Sequence, residues 1–152
     1  MKASSAMTRD VVTIEPNQSL KDAHEFMLEW GIRHLPVVKG KTLVGILSDR
    51  DILLASGRDT IGIVVPAIAV SEVMTSMPMT CDISADVSTI ARRMLDHKID
   101  CLPIISEGDL VGLVTSSDLM ELLIEREQTY EHRVIPFKYR IHRAGADYAA
   151  MA

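Results

Sequence analysis

Gly45-Ile46-Leu47-Ser48-Asp49-Arg50-Asp51 reads as a buried strand running into a helix, and Gly112-Leu113-Val114-Thr115-Ser116-Ser117-Asp118 repeats that reading further along the chain. In each stretch a hydroxyl stands at the junction and a carboxylate follows three residues on. That spacing describes a capping box: Ser48 or Thr115 caps the helix, and Asp51 or Asp118 reaches back to the backbone N–H of the cap. The same geometry suits a ligand. A helix start offers unpaired N–H groups and the positive end of a dipole, so a phosphate can replace part of the cap. A carboxylate one turn away suits the two hydroxyls of a ribose. Both roles are compatible with one set of residues.

Outward from these stretches, an offset of 67 positions (the distance from Gly45 to Gly112) brings two halves of the chain into register without a gap. Met7-Thr8 falls on Met74-Thr75, Met27-Leu28 on Met94-Leu95, and Leu35-Pro36 on Leu102-Pro103. Leu43-Val44-Gly45 falls on Leu110-Val111-Gly112, and Thr13, Ile32 and Asp51 fall on Thr80, Ile99 and Asp118. The chain is therefore read as two copies of one unit: residues 1–56, a linker 57–72, residues 73–124, and a C-terminal extension 125–152.

Each unit reads as strand–helix–strand–strand–helix, a mixed α/β (α+β) pattern. Val11-Val12-Thr13-Ile14 is a β-branched run closed by Pro16-Asn17. Ser19 is the expected N-cap of a helix that buries Leu20, Ala23, Met27 and Trp30 and stops at Gly31. Leu35–Val38 and Leu43–Leu47 are the next two strands, turning through Lys39-Gly40-Lys41, and the closing helix runs from Ser48 to just before Gly57. In the second unit Asp86 takes the cap, and Val87, Ile90, Ala91, Met94 and Leu95 face inward. One such unit has too few residues to cover both faces of its sheet. Two copies packed face to face about a pseudo-two-fold axis solve that, and leave two related clefts between them.

Composition narrows the function. Among 152 residues, 47% are apolar and 24% charged, which fits a folded globular chain. Sixteen basic against 21 acidic residues leave a net charge of −5, without the basic footprint that nucleic-acid binding requires. Cys81 and Cys101 follow no metal-site spacing and are expected as buried thiols in a reducing, cytoplasmic setting. No apolar run approaches the ~20 residues of a spanning helix, so no membrane role is expected. His24, His34, His97, His132 and His142 show no ligand spacing, so no metal is expected. Nothing beside the Asp pairs supplies a nucleophile or a phosphate-binding glycine loop, so no enzyme and no catalytic residue is expected. Met27, Met94 and Met120 sit at core phases.

The ordered set of Met-Thr, Leu-Pro-Val/Ile and Gly-x-x-Ser/Thr-x-x-Asp, each present twice, resembles the CBS domain, named after cystathionine β-synthase. The resemblance covers residues ~6–56 and ~73–124. It implies two β-α-β-β-α repeats forming a disc-like regulatory module that dimerises and acts on a partner protein. It also implies that AMP, ADP or ATP, ahead of S-adenosylmethionine, binds between the repeats. Each cleft then takes Ser/Thr-x-x-Asp from one repeat and the Leu-Pro segment from the other. The preferred cleft would hold Leu113, Thr115, Ser117 and Asp118 with Ile32, Arg33, His34 and Pro36, closed by Gln18 and Ala23. The second would hold Ile46, Ser48, Arg50 and Asp51 with Ile99, Asp100, Cys101 and Pro103.

That preference rests on charge and room. Arg33-His34 stands where the other repeat has Asp100-Cys101, and unit charges about 4 Å apart interact by roughly 4 kcal/mol at an effective dielectric near 20. Ala23 is small where Ile90 is bulky, which is expected to leave space for a base. The contrasting reading is a structural dimerisation module with empty clefts. In the extension, Ile135, Phe137, Tyr139 and Ile141 alternate with Pro136, Lys138, Arg140 and His142. That period suits packing on the module or a second subunit, or a strand that docks a partner.

Overall fold

In chain order, residues 1–129, the part of the computed structural model described, form α1 (Ala3–Ala6), α2 (Leu20–Trp30), β1 (His34–Lys39), β2 (Thr42–Ser48) and α3 (Asp49–Ala55). The short strands β3 (Gly57–Arg58) and β4 (Ile63–Val64) and a 3-10 turn at Val70–Glu72 make the connection. Then come β5 (Thr75–Ser76), β6 (Cys81–Asp82), α4 (Val87–His97), β7 (Cys101–Ser106), β8 (Asp109–Thr115) and α5 (Ser116–Thr129). The alternating segment 135–141 lies outside the described residues.

Helix α2 begins at the box expected of it. Asp22 N–H donates to Ser19 Oγ at 3.0 Å, and Ser19 N–H donates to the Asp22 carboxylate at 3.3 Å. It ends at Gly31 with φ +61°, and Lys98 takes the same left-handed turn after α4 with φ +53°. A side chain in that conformation costs about 1–2 kcal/mol, so the second repeat makes this turn at a penalty the first avoids. The hairpins match residue for residue: β1 pairs antiparallel with β2 and β7 with β8, with irregularities at Val37/Val38 and at the equivalent Ile104/Ile105.

The linear repeats and the packed units differ. Ala3 and Met7 are buried in the second core, with Cys81, Ile90, Met94, Leu102, Ile104 and Val114. Val70 is buried in the first core, with Ile14, Leu20, Ala23, Met27, Leu35, Val37, Leu47 and Ile52, and Met74 packs against it. Each repeat thus lends its opening Met-Thr to the other. Thr8 and Leu113 exchange backbone hydrogen bonds of 2.9 and 3.0 Å, and Thr75 pairs with Ile46. This exchange accounts for the two glycines. A Cβ at Gly45 would fall 3.0 Å from Met74 Cγ and 3.0 Å from the Thr75 carbonyl oxygen. At Gly112 it would fall 2.5 Å from Met7 Sδ and 3.0 Å from the Thr8 carbonyl oxygen. Only glycine leaves space for the borrowed strand and its methionine. Across the interface β2 lies against β8, and Leu110 N–H donates to the Lys41 carbonyl at 2.9 Å.

Some expectations need correction. The run Val11–Ile14 is not a strand. Only Ile14 bridges, in parallel with Val37, because Val11 and Val12 turn into the wall of a cavity instead. Trp30, Leu95 and Met120, expected in the core, are 61%, 71% and 57% exposed. Trp30 is the last residue of α2, just before the chain turns away, and Leu95 shares an outer helix face with its equivalent Leu28, which is also exposed. Asp86 makes no cap bond. Its carboxylate pairs with the Lys2 ammonium at 3.0 Å, on a surface where such pairs contribute little. Cys81 and Cys101 are buried free thiols, as expected.

Candidate functional site

Both strand-to-helix turns form their boxes. At the first, Asp51 N–H donates to Ser48 Oγ at 3.1 Å and Ser48 N–H to Asp51 Oδ2 at 2.8 Å. At the second, Thr115 N–H and the Thr115 hydroxyl donate to Asp118 Oδ2 at 2.6 and 2.8 Å, and Asp118 N–H donates to Thr115 Oγ1 at 3.3 Å. Each aspartate commits Oδ2 to its own cap, and among the described residues no hydrogen bond reaches Oδ1, which leaves it to accept from a ligand. The turns are held in place by the residue that precedes the other strand of each hairpin. Asp49 N–H donates to the Arg33 carbonyl at 2.9 Å, and Ser116 N–H to the Asp100 carbonyl at 3.0 Å.

Two cavities open between the repeats. The first, of about 280 Å³, brings together Ile32, Arg33 and His34 from one repeat and Leu113, Thr115, Ser117 and Asp118 from the other. The second, of about 470 Å³, brings together Ile46, Ser48, Arg50 and Asp51 with Ile99, Asp100 and Cys101. Small-molecule sites commonly run ~300–1,000 Å³, so the first is at the lower edge of that range and the second within it. Gln18, Ala23, Pro36 and Pro103 do not line either cavity. Gln18 Oε1 accepts from Glu15 N–H at 2.9 Å, Ala23 is enclosed in the first core, and both prolines are buried within β1 and β7. The room expected from Ala23 is not there. Ala23 and Ile90 are equally enclosed, and the cavity expected to be roomier is the smaller one.

The charge difference between the clefts is also not the expected one. Arg33, His34 and Asp100 line both cavities, so they form a shared wall instead of marking one cleft basic and the other acidic. The remaining charges sort the other way. The first cavity adds Asp10 and Asp118; the second adds Arg50 and Lys98 against Asp49 and Asp51. Reading the repeats alone missed Thr8, Asp10, Val11, Val12 and Gly31 in the first cavity, and Asp49, Leu53 and Thr75 in the second, whereas Arg50 and Lys98 stand beside Asp100 as their charges suggested. For Thr8 and Thr75 a signal existed: the duplicated Met-Thr pair places methionine on a glycine and threonine in a cavity wall.

The wall is electrostatically tight. Burial holds the His34 pKa below the usual histidine value and Arg33 adds to that, against the opposing pull of Asp49, Asp100 and Asp51. Burial likewise pushes the Cys101 thiol up to about 12, helped by Asp118 and Asp100, so it is a neutral, unreactive group. Cys101, in the second cavity, pairs across the hairpin with Thr115, in the first, so the two cavities adjoin. Among the described residues no group of three or more His, Cys, Asp or Glu side chains is placed to hold a metal ion. Among them, too, no helix is long and apolar enough to cross a membrane.

Comparison with known proteins fits this geometry. A CBS domain profile matches the chain twice, over residues 3–58 and 70–125. The chain is 35% identical over 116 residues to the CBS domain-containing protein YhcV of Bacillus subtilis, covering 74% of this chain and 79% of that one. It is 36% identical over 119 residues to an inosine-5′-monophosphate dehydrogenase of Korarchaeum cryptofilum, covering 78% of this chain but only 23% of the enzyme. Among solved structures, CBSX2 in complex with AMP matches at a TM-score of 0.69 and 27% identity, over 82% of this chain and 97% of that one. A CBS domain pair in complex with 5′-methylthioadenosine and S-adenosyl-L-methionine matches at 0.72 and 25% identity, over 83% and 98%. With both repeats matched in order and the fold shared with such pairs, the chain belongs to the CBS domain family as a tandem pair.

Proposed function

We propose that this chain is a non-catalytic regulatory module that binds an adenine nucleotide between its repeats and passes the occupancy to a partner protein. The observation that carries the reading is the pair of cavities, each joining an Asp with an uncommitted Oδ1 on one repeat to apolar and basic side chains on the other. A purine fits against the apolar residues Ile32 and Leu113 or Ile46 and Ile99, and the carboxylate accepts from the ribose hydroxyls. The AMP, 5′-methylthioadenosine and S-adenosylmethionine held by structurally similar pairs share that adenosyl group. A ligand touching both repeats favours whichever inter-repeat geometry it fits best, and that differential affinity is the signal.

A thermal-shift series with AMP, ADP, ATP and S-adenosylmethionine tests this. At about 100 times its dissociation constant, a ligand adds ~2.7 kcal/mol to stability. A flat series on protein stripped of co-purified ligand would leave the structural reading of the module in its place. For the partner we infer a second copy of this chain, with an effector protein beyond it. Leu28 and Leu95, and Leu53 and Met120, are exposed apolar residues at equivalent places in the two repeats, apolar surface that a second copy would cover. A cytoplasmic location agrees with the free cysteines.

A further inference from the structure

The two cavities differ in charge, size and the number of cationic donors. In the first, three carboxylates (Asp10, Asp100 and Asp118) face a single guanidinium, Arg33. Its cap hydroxyl is spent, because Thr115 Oγ1 donates to Asp118 Oδ2 at 2.8 Å. A phosphate entering there would meet net negative charge and find one cationic donor, Arg33, beside the hydroxyls of Thr8 and Ser117. In the second, Arg33, Arg50 and Lys98 balance Asp49, Asp51 and Asp100. Ser48 Oγ accepts from Asp51 N–H, and its hydroxyl proton has no acceptor among the described residues. That cavity is also the larger, about 470 Å³ against about 280 Å³.

We propose that the cavities take ligands of different charge: a phosphate-bearing adenine nucleotide in the second, and an adenosyl group without phosphate in the first. This rests on the adenine-ligand reading above and deepens it. Phosphate is held by charge-assisted bonds from guanidinium and ammonium donors, of which the second cavity supplies Arg33, Arg50 and Lys98 against Arg33 alone in the first. A neutral or cationic adenosyl compound needs none of these, and a positive substituent gains from the carboxylates lining the first cavity. The wall shared by Arg33, His34 and Asp100 lets each occupant sense the other.

Calorimetry on the intact chain at low ionic strength, with AMP and S-adenosylmethionine as probes, separates the sites. Arg50→Gln is expected to weaken AMP by about tenfold, the loss of one charge-assisted bond, and to leave S-adenosylmethionine within about twofold. Asp118→Ala is expected to do the reverse. Asp118→Asn, which keeps a capping side chain, guards against a simple loss of helix stability. Protein saturated with AMP should still take up S-adenosylmethionine. If the two probes compete for one site, or AMP follows Asp118 and S-adenosylmethionine follows Arg50, the sorting by charge is wrong while the adenine reading stands. If the wild-type chain binds neither probe, both fall.

Discussion

His34 stands in the wall between the two cavities, half-buried and with its pKa held below the usual histidine value. It was legible as a wall residue from its place in the duplicated Leu-Pro segment. Its half-buried setting was not, because it sits in the wall that the two cavities share. With its folded-state pKa held below 6.5, chiefly by burial, the unfolded chain takes up a proton near that pH which the folded chain refuses. Stability is therefore insensitive to this group above the unfolded value and is lost as pH falls below it. His34→Asn should lose less melting temperature than the wild type between about pH 7.5 and pH 5.5. Equal losses in the two proteins would mean that the imidazole titrates as it does in water. The residues that sequence failed to place, Thr8, Asp10, Thr75 and Asp49, share one cause. Periodicity gives the face a residue occupies, but not which distant segment that face meets.

At the scale of elements, the helices and hairpins were largely readable, since caps at Ser19 and Ser48 and turns at Gly31 and Gly40 are local chemistry. Failures came where an element depends on a remote partner. Val11–Ile14 has the composition of a strand, yet only Ile14 finds a neighbour. Strands β5 and β6 are two-residue pairings fixed by what lies beside them. The close fit of Met7 over Gly112 gives an element-level prediction. Gly112→Ala drives a Cβ into Met7 Sδ and should cost about 1–3 kcal/mol by overpacking. Met7→Ala opens a gap at the same place and should cost about 2–5 kcal/mol. Because the new methyl occupies part of the vacated volume, the double variant should lose less than the two single losses combined, as read by urea denaturation. Additive losses would argue that Met7 and Gly112 do not touch.

For the molecule as a whole, duplication was plain in the sequence, and so was the need for two copies to cover each other. The exchange of the opening segments was not. It means that neither repeat is a self-sufficient core, because Ala3 and Met7 complete the second and Val70 completes the first. The repeats are thereby joined at their edges as well as across β2 and β8, so a ligand in either cavity touches both halves of one coupled unit. Exposed Leu28, Leu53, Leu95 and Met120 should be covered by a second copy. Light scattering on the eluting protein should give twice the 16.8 kDa chain mass, and a monomer at micromolar concentration would contradict that. The central claim is that Asp51 and Asp118, one from each repeat, hold the ribose of an adenine ligand. Its most direct test is calorimetric titration of AMP and S-adenosylmethionine into the wild type and into the combined Asp51→Ala, Asp118→Ala variant, checked for cooperative unfolding. The wild type should bind both ligands, and the variant should lose at least about tenfold in affinity for each. Undiminished affinity in a folded double variant would contradict it.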